Sequence, residues 1–317
     1  QEGTEEAGLA DKRYRRTWAS SFVDLDKDHD LDLLVINDFA GLDVYHNDGT
    51  GKFKDVTSQL GEDRHSFGMS HALADFNRDG QVDLYMTGMG STTARRLEHM
   101  QLGREEFPKH QLKRMKLGYG NRLLLGSAKG RFKQAPYNNQ LARTGWSWGC
   151  TPWDFDNDGD RDLYVGNGML SARSAQDYCT TFWRHDIRDG DSKETLLMQE
   201  VYAQCMKGLG KDISWNGYEH NALLMNEGEG SYHSIGYLMG VGFEFDSRSV
   251  VGADLDLDGH TDLLIIQMDQ LSNRHETGRA EHYLHLVQNK IKSDGNWIGL
   301  HLKPETNPVG AMVTVRV

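Results

Sequence analysis

The residues best suited to chemistry in this chain form an acidic loop at 154–162, with the sequence DFDNDGDRD. Aspartates alternate at 154, 156 and 158, and a closing aspartate at 162 precedes an apolar segment. Carboxylates packed this closely repel one another unless a cation lies between them, and calcium prefers oxygen ligands of this kind. Gly159 can take the positive φ that a sharp turn around an ion requires. An EF-hand ends on a Glu at position twelve between helices, whereas this loop closes at position nine and leads into a strand-like run.

The same nine-residue loop occurs three more times, as DLDKDHDLD at 24–32, DFNRDGQVD at 75–83 and DLDLDGHTD at 254–262. Each copy is followed by an apolar, β-prone segment. We assign side-chain ligands to loop positions 1, 3, 5 and 9 and a carbonyl ligand to position 7, which predicts about four calcium ions. The predicted metal-site residues are Asp24, Asp26, Asp28, Asp30 and Asp32; Asp75, Asn77, Asp79, Gln81 and Asp83; Asp154, Asp156, Asp158, Asp160 and Asp162; and Asp254, Asp256, Asp258, His260 and Asp262.

Two loops depart from the pattern. Asn77 replaces a carboxylate with a neutral amide oxygen, which should weaken the second site. His29 stands where the other loops have glycine, and histidine tolerates a positive φ less well, so the first site is the least certain. The alternative interpretation of all four loops is an acidic surface turn without a metal.

A second repeated feature lies downstream of each loop. The segments HNDGTGKF, LGSAKGRF, MNEGEGSY and KSDGNW each place a glycine two residues before an aromatic side chain. Clusters of Asn, Asp and Gly between strand-like runs predict β-hairpin turns. One unit is then strand, metal loop, strand, connection, strand, hairpin and strand, which is the blade of a β-propeller. We predict an all-β fold, a β-propeller with four recognisable four-stranded blades over residues 11–302.

Length variation is confined to the connection between the second and third strands of a unit. The closing aspartate and the hairpin glycine are 19, 47, 68 and 33 residues apart in the four units. Successive connections of an up-and-down blade alternate between the two faces of the disc. The metal loops and hairpins therefore share one face, and the insertions, with short helices, lie on the other. Insertions gathered on one face are typical of the binding side of a repeat protein.

The first insertion, 89–119, is locally basic, with seven Lys and Arg residues against three Glu. Apolar residues at helical spacing predict two short helices that are interrupted near Pro108. A basic patch favours an anionic glycan or an acidic protein as partner. The alternative is the solvated face of helices that pack on the disc.

The second insertion, 168–218, contains a helical pattern in which Leu197, Val201 and Cys205 recur every four residues. Its aromatic side chains either stack on sugar rings or, more commonly, anchor the insertion to its own domain. They are Tyr178, Phe182, Trp183, Trp215 and Tyr218.

One group in the same region resembles an acid-base centre. Its members are Arg184, His185 and Asp186, with Glu219 and His220 nearby. Neighbouring residues of one strand point to opposite sides, so we expect salt bridges here rather than catalysis.

The net charge of −12 is concentrated, because seventeen of the 47 acidic residues lie in the four loops. Four calcium ions would bring the net charge to about −4. No basic excess favours a nucleic-acid partner, and no apolar run reaches the length of a membrane span. Loops of this kind need calcium in the millimolar range, which the cytosol lacks. We therefore expect an extracellular or periplasmic protein whose targeting segment has been removed.

The three cysteines allow at most one internal disulfide. Cys179 and Cys205 lie in the same insertion, and an oxidising compartment permits a bond between them. The alternative places Cys205 in the core, on the apolar face of a helix. Cys150, between Trp148 and Trp153, indicates a buried thiol. We predict a Cys179–Cys205 disulfide and a reduced Cys150.

With these residues assembled, the chain resembles the FG-GAP/VCBS propeller repeats of integrin α-subunits and many bacterial secreted proteins, most closely in DFDNDGDRDLYVGNG at 154–168. Residues 296–317 resemble the beginning of an ASPIC/UnbV segment, with Asn307, Gly310, Ala311 and Val313 on its pattern. The resemblance implies a secreted, calcium-stabilised interaction scaffold with ligands at the loop positions given above. It does not supply the identity of a partner.

Residues 3–9, GTEEAGL, are similar to the segment VTSQLG at 56–61 that follows a hairpin. We therefore expect residues 1–10 to form the outer strand of a preceding blade, and the four blades to belong to a larger ring, seven-bladed by resemblance. The alternative is a closed four-bladed disc, the smallest propeller.

Three functions fit these features. The first is a non-enzymatic calcium-binding propeller that recognises a protein or an anionic glycan through the insertion face, at 89–119 and 168–218. The second is a structural subunit of an extracellular assembly or filament, which includes self-assembly. The third is a calcium-dependent carbohydrate-active enzyme, which would need acids that converge outside the metal loops.

Overall fold

The computed structural model describes residues 2–188, 195–269, 281–292 and 295–300, together with Lys303 and Val313. Most of its regular structure is β-strand, arranged in four antiparallel sheets that follow one another along the chain. Within each sheet, neighbouring strands are consecutive in the sequence. The all-β fold predicted from the repeat is confirmed.

The strands have the following bounds. The first sheet contains β1 (Arg16–Val23), β2 (Asp32–Asp38), β3 (Gly41–Asn47) and β4 (Phe53–Asp55), and the second contains β5 (Gly68–Ala74), β6 (Asp83–Gly88), β7 (Arg122–Leu125) and β8 (Lys133–Gln134). The third contains β9 (Ser147–Trp153), β10 (Asp162–Asn167), β11 (Ala222–Asn226) and β12 (Tyr232–Ser234), and the fourth contains β13 (Ser247–Ala253), β14 (Asp262–Asp269) and β15 (Glu281–Val287). The first three sheets are four-stranded as predicted, and the fourth has three strands within the described residues.

The second strand of an inner sheet is apolar on both faces because another sheet covers each side. On β10, Leu163 and Val165 pack with Tyr85 of the second sheet, and Tyr164 packs with Ile265 of the fourth. Successive side chains of a strand point to opposite faces, so a continuous apolar run after the closing aspartate fills two interfaces at once. Burying each such side chain contributes about 1.5–3 kcal/mol.

Within the part of the chain that the structure describes, one face of the fourth sheet is uncovered. Ile266 of β14 lies opposite Leu284 of β15, and Leu286 follows on the same face. The two leucines are 66% and 62% exposed. Tyr85 and Tyr164, on the corresponding face of the second and third sheets, are fully buried by the next sheet. We call this exposed surface the open face.

Two insertions, 89–121 and 168–221, connect the second and third strands of their sheets and contain four helices. The helices are α1 (Thr92–His99), α2 (Pro108–Leu117), α3 (Cys179–Arg188) and α4 (Leu196–Met206). Ser91 Oγ accepts from Ala94 N at 3.0 Å and caps α1, and Pro108 occupies the first turn of α2, where no N–H is needed. The helices predicted on either side of Pro108 are confirmed. No helix within the described ranges is long and apolar enough to cross a membrane.

The two insertions pack on each other and on the residues that precede the first strands of the second and third sheets. Ala94 of α1 and Trp183 of α3 share a buried cluster with Phe67 and Trp146. Trp215 packs edge-on against Trp146, with ring centroids 5.1 Å apart. The aromatic side chains of the second insertion therefore anchor it to its own domain, as the commoner interpretation predicted.

The predicted Cys179–Cys205 disulfide is wrong. All three cysteines are free thiols. Cys179 is buried at the beginning of α3, where its Sγ lies 3.3 Å from Ser91 Oγ. It therefore faces the first insertion, whereas Cys205 lies on α4.

The expected outer strand is also absent from residues 2–10, which form turns and the beginning of a 3-10 helix. Ala7 O accepts from Phe53 N at 2.8 Å, which holds these turns against β4. The similar segment Thr57–Leu60 is a 3-10 helix. The sequence similarity thus reflects a shared turn rather than a shared strand. Most of the predicted segment 296–317, and the connection 270–280, lie outside the described residues.

The thiols provide a first test of the fold. We expect three free thiols under denaturing, non-reducing conditions, because no pair is bonded. In the native protein Cys205 should react first, since burial raises the pKa of Cys179, and raises that of Cys150 to about 12, while the reactive species is the thiolate. Thiol counting with an aromatic disulfide reagent, with and without denaturant, measures both quantities. A count of one after denaturation would contradict the structure.

Candidate metal sites

Each acidic loop joins the first and second strands of its sheet through the same turn, in which positions 4 and 6 are left-handed. These residues are Lys27 (φ 64°) and His29 (76°), Arg78 (57°) and Gly80 (78°), Asn157 (57°) and Gly159 (94°), and Leu257 (59°) and Gly259 (86°). Position 6 was predicted from its glycine. Position 4 was missed, because no residue type marks it. His29 takes the required conformation, so the first loop bends like the others.

The position 1 carboxylate organises the turn. In the third loop, Asp154 Oδ1 accepts from Asp158 N at 3.0 Å and Asp154 Oδ2 accepts from Gly159 N at 2.9 Å. The second and fourth loops repeat both bonds. The position 5 carboxylate accepts from the position 7 N–H in all four loops, at 2.8–3.0 Å. These bonds turn the acidic side chains of positions 1, 3 and 5 toward one another.

The closing aspartate at position 9 is buried and ties three parts of its sheet together. One oxygen accepts from the backbone N–H at loop position 2, and the other accepts from an N–H at the end of the third strand. The first bond is donated by Leu25 (3.2 Å), Phe76 (2.9 Å), Phe155 (2.8 Å) and Leu255 (3.2 Å), and the second by Asn47 (2.9 Å), Gly126 (2.7 Å), Asn226 (2.8 Å) and Asn289 (2.8 Å). Position 9 was predicted only as a metal ligand, and its structural role was missed.

Burial raises the pKa of three closing carboxylates, Asp32, Asp83 and Asp162, and so makes them harder to ionise without a cation. It raises the pKa of Asp162 to about 7 and that of Asp83 to about 6, against the two N–H donors that lower both values. The neighbouring Asp156 and Asp158 raise the pKa of Asp162 further. A bound divalent cation would be the largest local charge and would reverse this effect.

Three of the loops bring ligand oxygens close enough to share one ion. Asp24, Asp26 and Asp28 form one group, Asp154, Asp156 and Asp162 a second, and Asp254, Asp256 and Asp258 a third, with the oxygens of each group within 4.8 Å of one another. In the first and third loops, buried oxygens of Asp24, Asp26 and Asp156 have no hydrogen-bond partner. An unpartnered buried carboxylate oxygen is costly. The residues present therefore fit a hard, oxygen-seeking cation such as calcium.

The second loop is different because Asn77 uses its amide inside the loop. Asn77 Nδ2 donates to Asp79 Oδ2 at 3.1 Å, and Asn77 Oδ1 accepts from Asp79 N at 3.1 Å. The amide of Asn77 thus donates a hydrogen bond to the Asp79 carboxylate, which would otherwise depend on a bound ion to offset its charge. The expectation of a weaker second site remains a prediction with this physical basis.

The fourth loop has a nearby cationic side chain. Lys290 Nζ lies 3.4 Å from Asp258 Oδ2 and 3.8 Å from Asp256 Oδ2. Gln288 Nε2 also donates to Asp256 Oδ2. Lys290 is exposed, so this pair contributes little to stability, but it would compete with an ion for the same oxygens.

A further set of residues at the ends of the third strands was missed. Asn226 Nδ2 donates to Phe76 O of the second loop at 3.4 Å, and Asn289 Nδ2 donates to Phe155 O of the third loop at 2.8 Å. Each asparagine thus reaches the metal loop of the preceding sheet. The sequence signal is an Asn at the end of the third strand, in MNEG and QNK. Asn226 was interpreted only as part of a hairpin turn, and Asn289 was not singled out.

The residues of the supposed acid-base group do not converge where the structure describes them. Arg184 lies on α3, a helix rather than the strand that we assumed; the side chains of His185 and Asp186 lie outside the described residues. Glu219 accepts from Trp146 N at 2.6 Å and from Asn216 Nδ2 at 2.9 Å. Burial raises the pKa of Glu219 to about 7. This carboxyl group anchors the second insertion to the third sheet.

His220, next to Glu219 in the chain, is engaged elsewhere. Its Nε2 lies 3.1 Å from Glu244 Oε1, and its Nδ1 lies 2.9 Å from Gly242 O. Both contacts belong to the segment that leads into the fourth sheet. His220 thus contacts a carboxylate, as expected, but its partner Glu244 lies outside the predicted group.

The four sheets and their acidic loops define an all-β protein built from propeller-type blades. Residues 24–86, which include the first two loops, match the FG-GAP-like repeat. A stretch of 42 residues is 50% identical to cartilage acidic protein 1 of Mus musculus, and the same identity holds for that of Homo sapiens. This stretch is 13% of the chain and only 6% of either relative. The resemblance to FG-GAP repeat proteins is confirmed, and the similarity to cartilage acidic protein 1 is consistent with the ASPIC/UnbV resemblance.

The two roles of the loop aspartates can be separated by the same substitution at two positions. In EDTA, Asp162→Ala should lower the free energy of unfolding by about 2–4 kcal/mol, because it leaves two buried N–H groups without an acceptor. Asp156→Ala should not lower it, because in EDTA the change removes a partly buried carboxylate that Asp158 and Asp154 repel and that has one buried oxygen without a hydrogen-bond partner. Urea unfolding in EDTA measures both. Equal losses in the two variants would contradict the structural role of position 9.

Proposed function

We propose that this protein is an extracellular or periplasmic calcium-binding scaffold of β-propeller type that recognises a protein through its insertion face. The observation that supports calcium binding is the set of unpartnered buried oxygens on Asp24, Asp26 and Asp156, each within a group of three carboxylates. Mutual repulsion and unpartnered oxygens destabilise a group of this kind, and a cation among its members would relieve both. The same turn in all four sheets supports the same use for each loop.

When bound, calcium would neutralise the carboxylates that crowd each loop. The chain's own residues provide the rest of the site. Position 1 holds the turn closed, the left-handed residues at positions 4 and 6 wrap the backbone, and the buried position 9 aspartate fixes the loop to the third strand. The affinity of such oxygen sites falls in the millimolar range in extracellular modules, which supports the proposed location.

The insertion face supports a protein partner more than an anionic glycan. Several basic side chains of the first insertion are engaged within the fold: Arg114 Nη2 donates to Leu102 O at 2.6 Å, and Lys116 pairs with Glu62. The second insertion exposes apolar side chains instead, since Leu196 and Leu197 of α4 are 81% and 69% exposed. A helix with exposed leucines is suited to pack against an apolar surface of a partner.

Calcium removal is the direct test. We expect EGTA to lower the melting temperature, because each site occupied at about 100 times its dissociation constant adds roughly 2.7 kcal/mol to stability. Differential scanning calorimetry in calcium, in EGTA and in magnesium measures the effect. Magnesium is the control, since it demands a tighter octahedral site and should restore little. A melting temperature that does not change with EGTA would overturn the proposal.

A second candidate function, assembly with further blades, is favoured by the open face of the fourth sheet. In the second and third sheets the same face is buried against the next sheet, so the open face matches the surface that such a sheet would cover. A second copy of the chain, or a further blade of the larger ring expected from the resemblance, would bury Ile266, Leu284 and Leu286. A contiguous apolar patch of this kind is typical of an interaction surface.

Self-association of the chain tests this second candidate. We expect an apparent mass that rises with protein concentration in light scattering, because burying the leucines of the open face stabilises the assembled form. Leu284→Glu with Leu286→Glu should abolish the rise. The matched control is Leu196→Glu with Leu197→Glu, which places the same charges on exposed leucines of α4. A mass that stays monomeric at every concentration would contradict assembly between copies.

A further inference from the structure

The left-handed residue at position 4 of each of the first three loops extends its side chain to the next loop. Lys27 Nζ donates to Gly80 O at 2.8 Å, from the first loop to the second. Arg78 Nη1 lies 2.9 Å from Asp160 Oδ1, from the second loop to the third. Asn157 Nδ2 donates to Gly259 O at 3.3 Å, from the third loop to the fourth. Three different residue types thus make the same connection at each of the three loop junctions.

The connection ends on the part of the next loop that holds its ligand carboxylates. The acceptors are at positions 6 and 7. Gly80 N donates to Asp75 Oδ2 at 2.8 Å, and Gly259 N donates to Asp254 Oδ2 at 3.0 Å. In the third loop, Asp160 N donates to Asp158 Oδ1 at 2.8 Å. The side chain from one loop therefore steadies the backbone segment that orients the position 1 or position 5 ligand of the next.

A second set of contacts runs in the opposite direction. Asn226, at the end of the third strand of the third sheet, donates to Phe76 O at position 2 of the second loop. Asn289 of the fourth sheet makes the equivalent bond to Phe155 O of the third loop. Position 2 also supplies the N–H that the buried position 9 aspartate accepts. The second and third loops are thus each held twice: at position 2 by an asparagine of the following sheet, and at position 4 by a side-chain contact to the following loop.

From this geometry we propose that the metal loops bind calcium as a coupled series, and that the position 4 residues Lys27, Arg78 and Asn157 are positioning residues for the site of the following loop. The inference rests on the proposed calcium binding. An ion in one loop fixes the turn that aims the position 4 side chain, and that side chain in turn orders the next loop before its ion arrives. The second ion then binds to a loop that is already ordered. Its binding costs less conformational entropy, which gives positive cooperativity.

Arg78 has an additional electrostatic effect on the third loop. This loop contains five aspartates, and the guanidinium of Arg78 lies beside the buried Asp160. The positive charge of Arg78 by itself disfavours a nearby cation, so its expected benefit to the site comes from holding Asp160 and the position 7 backbone in place. Arg78 itself is 62% exposed, so the attraction is screened and its effect on overall stability is small. Its contribution should therefore be seen in the ion affinity of the third loop rather than in the stability of the ion-free protein.

The position 6 glycines provide a separate reporter for three of the loops. The amides of Gly80, Gly159 and Gly259 each donate to the position 1 carboxylate of their own loop. In the whole chain labelled with [15N]glycine, a calcium titration followed by NMR gives one binding curve per loop. In Arg78→Ala we expect the Gly159 curve to shift to roughly tenfold higher calcium, within the usual range of coupling between sites. Arg78→Lys should recover part of the shift, because its ammonium group can still pair with Asp160 and hold the position 7 segment.

The matched control is Leu257→Ala, the same loop position in the fourth loop. Leu257 has no hydrogen-bonding group, and its side chain is 79% exposed. This substitution should leave the Gly80 and Gly159 binding curves unchanged. Melting in EDTA should be the same for both variants and the natural protein, which shows that the fold is intact. A Gly159 curve that does not move in Arg78→Ala would overturn the proposal.

A double-variant cycle isolates the coupling from a local effect of Arg78. Asp79→Ala, which weakens the second site, should shift the Gly159 curve when Arg78 is present and leave it in place when Arg78 is alanine. An equal shift in both backgrounds would show that the loops are not coupled through Arg78. If no glycine amide responds to calcium in the natural protein, the proposed calcium binding itself is refuted, and the coupling with it.

Discussion

The hydrogen bonds of the closing aspartates are the interaction on which the remaining structure depends. Each of these buried carboxylates accepts one N–H from the beginning of its loop and one from the end of the third strand, and it is itself the first residue of the second strand. One side chain therefore fixes three segments of a sheet. The arrangement recurs in all four sheets, which is why the loops share one shape despite His29 and Asn77. Its cost is a carboxyl group removed from water, visible in the raised pKa of Asp162.

Concentrated negative charge is the second constraint. The fold balances part of it, through backbone N–H donors at positions 5 to 7, through Arg78 on Asp160 and through Lys290 near the fourth loop. One buried oxygen each of Asp26 and Asp156 has no hydrogen-bond partner. Donors and cations of the chain itself therefore contact part of each loop's carboxylate oxygens, and the proposed cation would contact the remaining ones. A side chain of the chain itself placed between these carboxylates would exclude the proposed ion.

The antiparallel order of the strands separates this uniform face from a variable one. The loops and hairpins lie at one end of the strands, and both helical insertions lie at the other. Insertions of different length do not disturb the loops, because the buried second strands stand between them. The insertions are instead held by their own contacts, among them the Trp146–Trp215 pair and the buried Glu219. The proposed ion sites and the proposed recognition surface thus lie at opposite ends of the same sheets.

The sequence by itself determined the four loops, the strands around them, the place of the insertions and the helices on either side of Pro108, because each depends on residue type at short spacing. Only the tertiary structure decided the rest. Position 4 of the loops contains Lys, Arg, Asn and Leu, and its left-handed turn and its reach to the next loop depend on how two sheets pack. Cys179 was paired with Cys205 by proximity in the chain, yet the packing of α3 turns it toward Ser91. The open face of the fourth sheet has the same apolar pattern as its buried counterparts, so only the arrangement of sheets distinguishes them. The loops and strands depend on residues close together in the sequence and can be predicted from it. Contacts between distant segments form only once the chain has folded.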